Sequence, residues 1–189
     1  PLPACWTVAE SEDNPDWVAA ERVCSALELE HHQHILEEGA FENSLPDLSW
    51  YGEDLDFTVL FFQPLFEKMS QSVKVGLCGQ GADELHAGYP RYKNLEEHRQ
   101  QIRSRLDASD HPFASKLISG TIDQSGWRAN HNPENCFSDL ETALEYELNH
   151  GQLTNFQLRL VDRHSMAHGL EVRVPFLGSS HLDASNRLP

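Results

Sequence analysis

The sequence predicts an α/β fold: a parallel sheet with flanking helices, followed by a mainly helical region. Three observations carry that expectation. Strand-like and helix-like patterns alternate over the first 36 residues, about the length of a βαβ unit. A further strand pattern at residues 73–78, "VKVGLC", runs directly into a glycine turn. Beyond Tyr92 the apolar spacing becomes helical, in "NLEEHRQQIRSRL", "SDLETALEYELNH" and "LTNFQLRLVDRHSMAHGL".

Taken in order, residues 4–9, "ACWTVA", read as a strand from their β-branched and aromatic content. Asn14 is placed to cap a helix and Pro15 to open it. Trp17, Ala20, Cys24 and Leu27 then recur on one helical face. Residues 30–36, "EHHQHIL", read as a second strand. Residues 37–53 contain Gly39, Pro46 and Gly52 and read as an acidic loop with short helical turns. Residues 55–69 are apolar enough for a buried helix, interrupted by Pro64. Residues 107–138 mix Gly, Pro, Asn and Asp and carry the weakest pattern. The division that follows is an α/β layer over 1–92 and a mainly helical continuation over 93–189.

The 30 acids and 14 bases leave a net charge of −16, and the first 60 residues contain a single base, Arg22. Such a surface repels phosphate backbones, which argues against nucleic acid as a partner. No apolar run approaches the roughly 18–20 residues that span a bilayer, so no membrane role is expected. Cys5, Cys24, Cys78 and Cys136 form no C-x-x-C pair, and reduced thiols in a cytoplasmic protein are the expectation.

The densest chemistry lies in residues 76–92, "GLCGQGADELHAGYPRY". Ligands of parallel α/β sheets bind outside the carboxyl ends of the strands, which is where Gly79-Gln80-Gly81 falls. Glycines there let a ligand approach the backbone. The helix expected from Ala82 points its N–H groups at the same place, which suits a phosphate. Asp83 and Glu84 conflict with a bare phosphate but not with one carrying Mg2+, which takes one or two protein carboxylates plus phosphate oxygens. The plainer alternative is that two acids in a first helical turn merely complement the helix dipole.

Two further stretches add to this: "RLVDRHSMAHGLEVRVPFL" at residues 159–177 and "TVAESEDNPDWVAAERVCSALELEHH" at residues 7–32. Together with "GQGADELHAGYPRY" they closely resemble the synthetase domain of the glutamine-dependent asparagine synthetases. That family shows S-G-E-G-[AS]-D-E-L-F-G-G-Y and, later, D-R-x-[ST]-M-A-H-G-L-E-x-R-V-P-F-L-D. The resemblance implies an ATP pyrophosphatase domain of the adenine nucleotide alpha-hydrolase-like type. Such a domain uses ATP and Mg2+ to adenylate the side-chain carboxylate of aspartate, and ammonia from a glutaminase domain then displaces AMP to give asparagine. By the same resemblance Val8 lies against adenine, Cys78 and Gly79 contact the nucleotide, and Asp83 attends Mg2+ and pyrophosphate. Gln80 occupies the place of a glutamate important for the acyl-adenylate. The family's S-G-G-x-D-S loop, its glutaminase with an N-terminal Cys nucleophile and its later lysine-bearing segments would lie outside these 189 residues. The chain is therefore expected to be an internal fragment, inactive in isolation.

The pattern is not followed everywhere. Cys78 stands for Ser, Gln80 for Glu, His86-Ala87 for Phe-Gly and Gly178 for Asp. A glutamine orients by hydrogen bonding but cannot take a proton. These departures keep two alternatives open: a ligase using an internal amine, which closes β-lactam rings or peptide macrocycles, and an inactive binding or regulatory relative. His164 and His168, four apart with Glu171 nearby, invite a zinc reading. Ser165 stands where H-E-x-x-H has Glu, however, and the resemblance already accounts for the stretch. His31, His32 and His34 alternate along a strand and read as solvated. Trp17 and Trp50 read as core aromatics. Arg159, Arg163 and Arg173 read as structural ties to Asp162, Glu171 or loop carbonyls.

Overall fold

The computed structural model describes residues 2–53, 61–108 and 137–188. These divide into two compact units, one of residues 1–78 with 159–173 and the other of 79–158 with 174–189.

The first unit opens with strand β1 (Cys5–Ala9), helix α1 (Pro15–Ala26) and strand β2 (His31–Ile35). The two strands pair in parallel with Cys5 opposite His31 and Ala9 opposite Ile35, which makes the βαβ unit read from the sequence. Asn14 Oδ1 accepts from the backbone N–H groups of Asp16 (2.8 Å) and Trp17 (3.3 Å) and so caps α1, with Pro15 at its first position. Trp17 and Cys24 are buried on the inward face, while Leu27, just past the helix end, is exposed.

Helix α2 (Ala40–Gly52) replaces the expected loop and continues through Pro46. A proline inside a helix removes a backbone donor and crowds the preceding turn. Tertiary contacts offset that here: Leu48 is buried, and Arg163 donates from Nη1 to the Gly52 carbonyl (2.7 Å) while its Nη2 pairs with Glu53 (2.9 Å). Trp50, expected in the core, is 78% exposed. Residues two apart on a helix point about 200° apart, so inward Leu48 forces Trp50 outward.

Helix α3 (Phe62–Ser70) carries the apolar stripe expected over 55–69, of which residues 54–60 lie outside the described residues. Pro64 falls in its first turn, where backbone N–H groups have no helical partner in any case, so it begins the helix rather than interrupting it. Strand β3 (Val75–Leu77) is shorter than the stretch read from the sequence. It pairs in parallel with β4 (Glu171–Arg173), in register Val75 to Glu171, forming a sheet separate from β1–β2. Phe66, Met69, Val161 and Leu170 make the unit's core, with Trp6, Phe62, Leu65 and Val172 against them. Each such side chain contributes about 1.5–3 kcal/mol on burial.

The second unit holds helices α4 (Ala82–His86), α5 (Leu95–Ala108), α6 (Leu140–Asn149) and α8 (Ser179–Ser185). The Asp139 side chain accepts from Thr142 N (2.9 Å) while the Thr142 hydroxyl receives from the Asp139 N–H, which starts α6 with a reciprocal cap. Ile102, Phe137, Ala143 and Tyr146 form the core. The helical stretch expected from Leu153 begins with a π-turn (Leu153–Gln157), where Asn155 Nδ2 donates back to the His150 carbonyl, and continues as α7 (Leu158–Met166), whose residues from Arg159 on belong to the first unit. The α/β class with short parallel sheets and a mainly helical continuation is thus observed. Cys136 lies outside the described residues, and Cys5, Cys24 and Cys78 are thiols, Cys24 buried.

Candidate active site

The five residues singled out in the sequence fall in both units. Val8 is half-buried near the end of β1, opposite His34 in the β1–β2 register. Cys78 follows β3 directly. Its backbone N–H donates to the Arg173 carbonyl (3.0 Å), and its side chain rests on the first unit's core. The boundary between the units falls immediately after it.

Gly79, Gln80 and Asp83 belong to the second unit. Gly79 is exposed, and a Cβ there would meet no atom of the described residues within 4 Å. Gly81 caps the start of α4 with φ of +91°, in the left-handed region that side chains avoid. Leu177 fills the space beside it, with Cδ2 2.5 Å from where a Cβ would sit. The helix therefore starts where it does because Gly81 has no side chain.

Within α4 the two adjacent acids have different surroundings. Asp83 is exposed, and among the described residues its carboxylate accepts no hydrogen bond and forms no ion pair. It lies over Gly88, in the place a Cβ at that position would take. Glu84, about 100° further round the helix, is 1% exposed. Among the described residues its Oε1 makes no hydrogen bond, but it sits 3.9 Å from Arg91 Nη2. Burial raises the Glu84 carboxyl above the usual range, with Arg91 pulling the other way.

Arg91 also reaches Glu147 Oε2 (3.5 Å) and lies over the rings of Tyr89 (4.1 Å) and Tyr92 (5.2 Å). Glu147 is buried, with His98 Nε2 3.1 Å from its Oε1 and the Gln152 N–H donating to Oε2 (3.1 Å). Burial alone raises the Glu147 carboxyl, but the His98 contact and Arg91 outweigh it and hold it below its ordinary value. The two tyrosines and the arginine of the glycine-rich stretch thus serve Glu84 and Glu147 from within the fold. Sequence reading missed Glu84, Arg91, His98 and Glu147 as a group. The available signal was the spacing of Tyr89, Arg91 and Tyr92, which brackets a cation with rings.

His164, His168, Arg163 and Arg173 are engaged by partners within the first unit. Gln63 Nε2 donates to His164 Nδ1 (2.6 Å), and Gln63 Oε1 accepts from His168 Nε2 (2.6 Å), so a buried amide bridges the two rings. His164 Nε2 is packed against Gly52 and has no hydrogen-bond partner among the described residues. Burial, then the charges of His168 and Arg163, push His164 below its ordinary value, so it is neutral at pH 7. Arg173 Nε donates to Glu171 (2.8 Å). His31, read as solvated, is half-buried with Nε2 2.9 Å from the Thr7 hydroxyl, and His32 stacks on Trp6 at 4.8 Å. Pairing with β1 covers the strand that its polar sequence left open.

The observed arrangement suits ATP and Mg2+ at the points where they can be tested. Among the described residues, nothing fills the space beside the Gly79 backbone. The exposed oxygens of Asp83 are hard donors of the kind Mg2+ takes, and no other group engages them among the described residues.

The class defined so far is an α/β protein on short parallel strands, with a glycine rim at one strand's carboxyl end and an exposed carboxylate on the helix that follows. A family model described as asparagine synthase matches residues 3–189, and the chain belongs to that family. It is 22% identical over 213 residues to asparagine synthetase [glutamine-hydrolyzing] 1 of Bacillus subtilis, covering 90% of this chain and 34% of that protein. It is 25% identical over 173 residues to the Rattus norvegicus asparagine synthetase [glutamine-hydrolyzing], covering 88% of this chain and 23% of that protein. A probable asparagine synthetase of Schizosaccharomyces pombe is 32% identical over 88 residues, covering 43% of this chain and 15% of that protein. The chain thus spans between about a quarter and a third of the length of the first two relatives.

Proposed function

We propose that this chain is part of an ATP-dependent amide-forming ligase that adenylates the side-chain carboxylate of aspartate. Ammonia released from glutamine then attacks the acyl-adenylate to give asparagine. Mg2+, when bound, would neutralise charge building on the pyrophosphate leaving group. In this reading Asp83 holds the ion and Val8 lies against the adenine. Cys78 and Gly79 contact the nucleotide, the glycine leaving its backbone open to it. Gln80 donates its amide N–H to the acyl oxygen but accepts no proton from ammonia, which must lose it to another base or to water.

The observation that carries this reading is the division of labour on α4. Glu84 is committed to Arg91 within the protein, while its neighbour Asp83 is exposed and engaged by nothing described.

Asp83→Asn in the full-length protein is the test. It removes the charge but keeps the shape, and adenylation should fall by at least about a hundredfold, the loss of several kcal/mol of metal-mediated stabilisation. Glutaminase activity, measured as glutamate release, should persist. Aspartate-dependent exchange of pyrophosphate into ATP is the readout, and an unchanged rate would remove Asp83 from the metal role. The 189-residue segment contains no S-G-G-x-D-S sequence and is expected to release no pyrophosphate when purified alone.

A further inference from the structure

We infer that His86 and His181 form a two-histidine site for a divalent transition-metal ion of the zinc type, stapling α4 to α8. The two imidazoles face each other through Nε2 at 3.1 Å, with ring planes at 86°. They come from helices separated by 95 residues of sequence, both within the second unit. The edge of Phe176 backs the pair, with its centroid 6.3 Å from His86 and 5.1 Å from His181, so neither ring is aimed by solvent alone.

The distance is what points to a metal. Zinc–imidazole bonds are about 2.0–2.1 Å long, so an ion bound equally by two nitrogens 3.1 Å apart subtends about 98°. That lies between the right angle of adjacent octahedral ligands and the tetrahedral angle. The pair's own hydrogen bond needs the two rings in opposite tautomers, one donating from Nε2 and the other accepting there. A metal instead accepts the same neutral tautomer from both. His86 is exposed and His181 half-buried, which leaves the outer face open for water to complete the coordination.

Neutral imidazole selects zinc, copper or nickel and disfavours Mg2+, which prefers carboxylate and water. The site is therefore chemically separate from the one proposed at Asp83 and does not depend on it. It also belongs to this chain's own sequence, since His86 stands where the family pattern has Phe. The consequence is mechanical. Helix α4 has five residues and little stability of its own. It leans on Leu177 through Gly81, and an ion bridging its last residue to α8 would hold both of its ends against the 175–185 segment.

Isothermal titration of the full-length protein with Zn2+ alone, in excess Mg2+, tests this. One saturable equivalent should be lost or weakened at least about tenfold in His86→Ala and in His181→Ala, the scale on which loss of a metal's supporting groups registers. The double substitution should be no worse than either single one, because one imidazole cannot hold the ion. Asp83→Asn should leave the equivalent in place. Zinc uptake that is the same in both histidine variants, or absent from the unaltered protein, would overturn the assignment. Both residues are accessible at the surface, and far-ultraviolet circular dichroism of each variant separates loss of the ion from loss of the fold.

Discussion

Each unit of this protein buries a polar cluster, and the two are built on opposite principles. In the first, the Gln63 amide bridges His164 and His168, and nothing buried needs to be charged. In the second, Arg91 stands between the buried carboxylates of Glu84 and Glu147, with His98 beside Glu147. A neutral bridge depends on hydrogen-bond geometry, which a single amide satisfies with short contacts. A charged cluster depends on compensation, since each buried ion costs several kcal/mol to desolvate and is offset only by its partners. The first holds α7 against α3. The second holds α4, the helix that presents Asp83.

The comparison can be broken most forcefully at Arg91. Arg91→Met keeps much of the packing between Tyr89 and Tyr92 but leaves two buried carboxylates without their shared cation. It should cost about 3–5 kcal/mol, read as a shift in the midpoint of urea unfolding. Breaking the neutral cluster should cost less. Gln63→Leu strands His164 Nδ1 and His168 Nε2 without introducing charge, for about 1–3 kcal/mol by the same measurement. If Gln63→Leu proved the more damaging, the distinction between the clusters would fail.

Acid sharpens the contrast. Folded His164 titrates below its ordinary value of 6.5, so beneath that pH the unfolded chain takes a proton that the folded chain refuses. This contribution is flat above pH 6.5 and falls as the pH drops toward the folded value. Glu84 acts oppositely: its folded value lies above 4.5, so within that window the folded state binds the extra proton and gains stability as the pH falls. Thermal unfolding across pH 4 to 8 should therefore flatten below pH 6.5 in His164→Gln and steepen just above pH 4.5 in Glu84→Gln. Neither effect should exceed about 1.4 kcal/mol per pH unit. The smallest effect belongs to Trp50, which touches neither cluster: Trp50→Ser should change stability by no more than about 0.5 kcal/mol in the same unfolding assay.

Where local chemistry sufficed, sequence and structure agree. Asn14 and Pro15 start α1 because a capping oxygen and a fixed φ act over three residues, and "SDLETALEYELNH" starts α6 with its own reciprocal cap. Agreement ends where a partner lies far along the chain. Residues 37–53 look like a loop until Arg163, more than 100 residues on, takes the last carbonyl of α2. Trp50 looks like core until Leu48 decides which way the helix faces. The candidate site divides in the same way. Asp83 was legible because glycines and an acid at the end of a strand are a local pattern. Its supporting cast of Arg91, His98 and Glu147 was not.

By itself, then, the sequence determined the α/β class, the parallel β1–β2 pairing and the family, because periodicity, capping and turn chemistry are short-range properties that motifs record. Only the tertiary structure decided that β3 pairs with β4 across some 95 residues, and that α2 survives its proline. It also decided that, of two adjacent acids, Glu84 turns inward to a cation while Asp83 faces out. The physical reason is common to all three. Burial and charge compensation are set by which surfaces meet, and residues far apart in sequence decide that together.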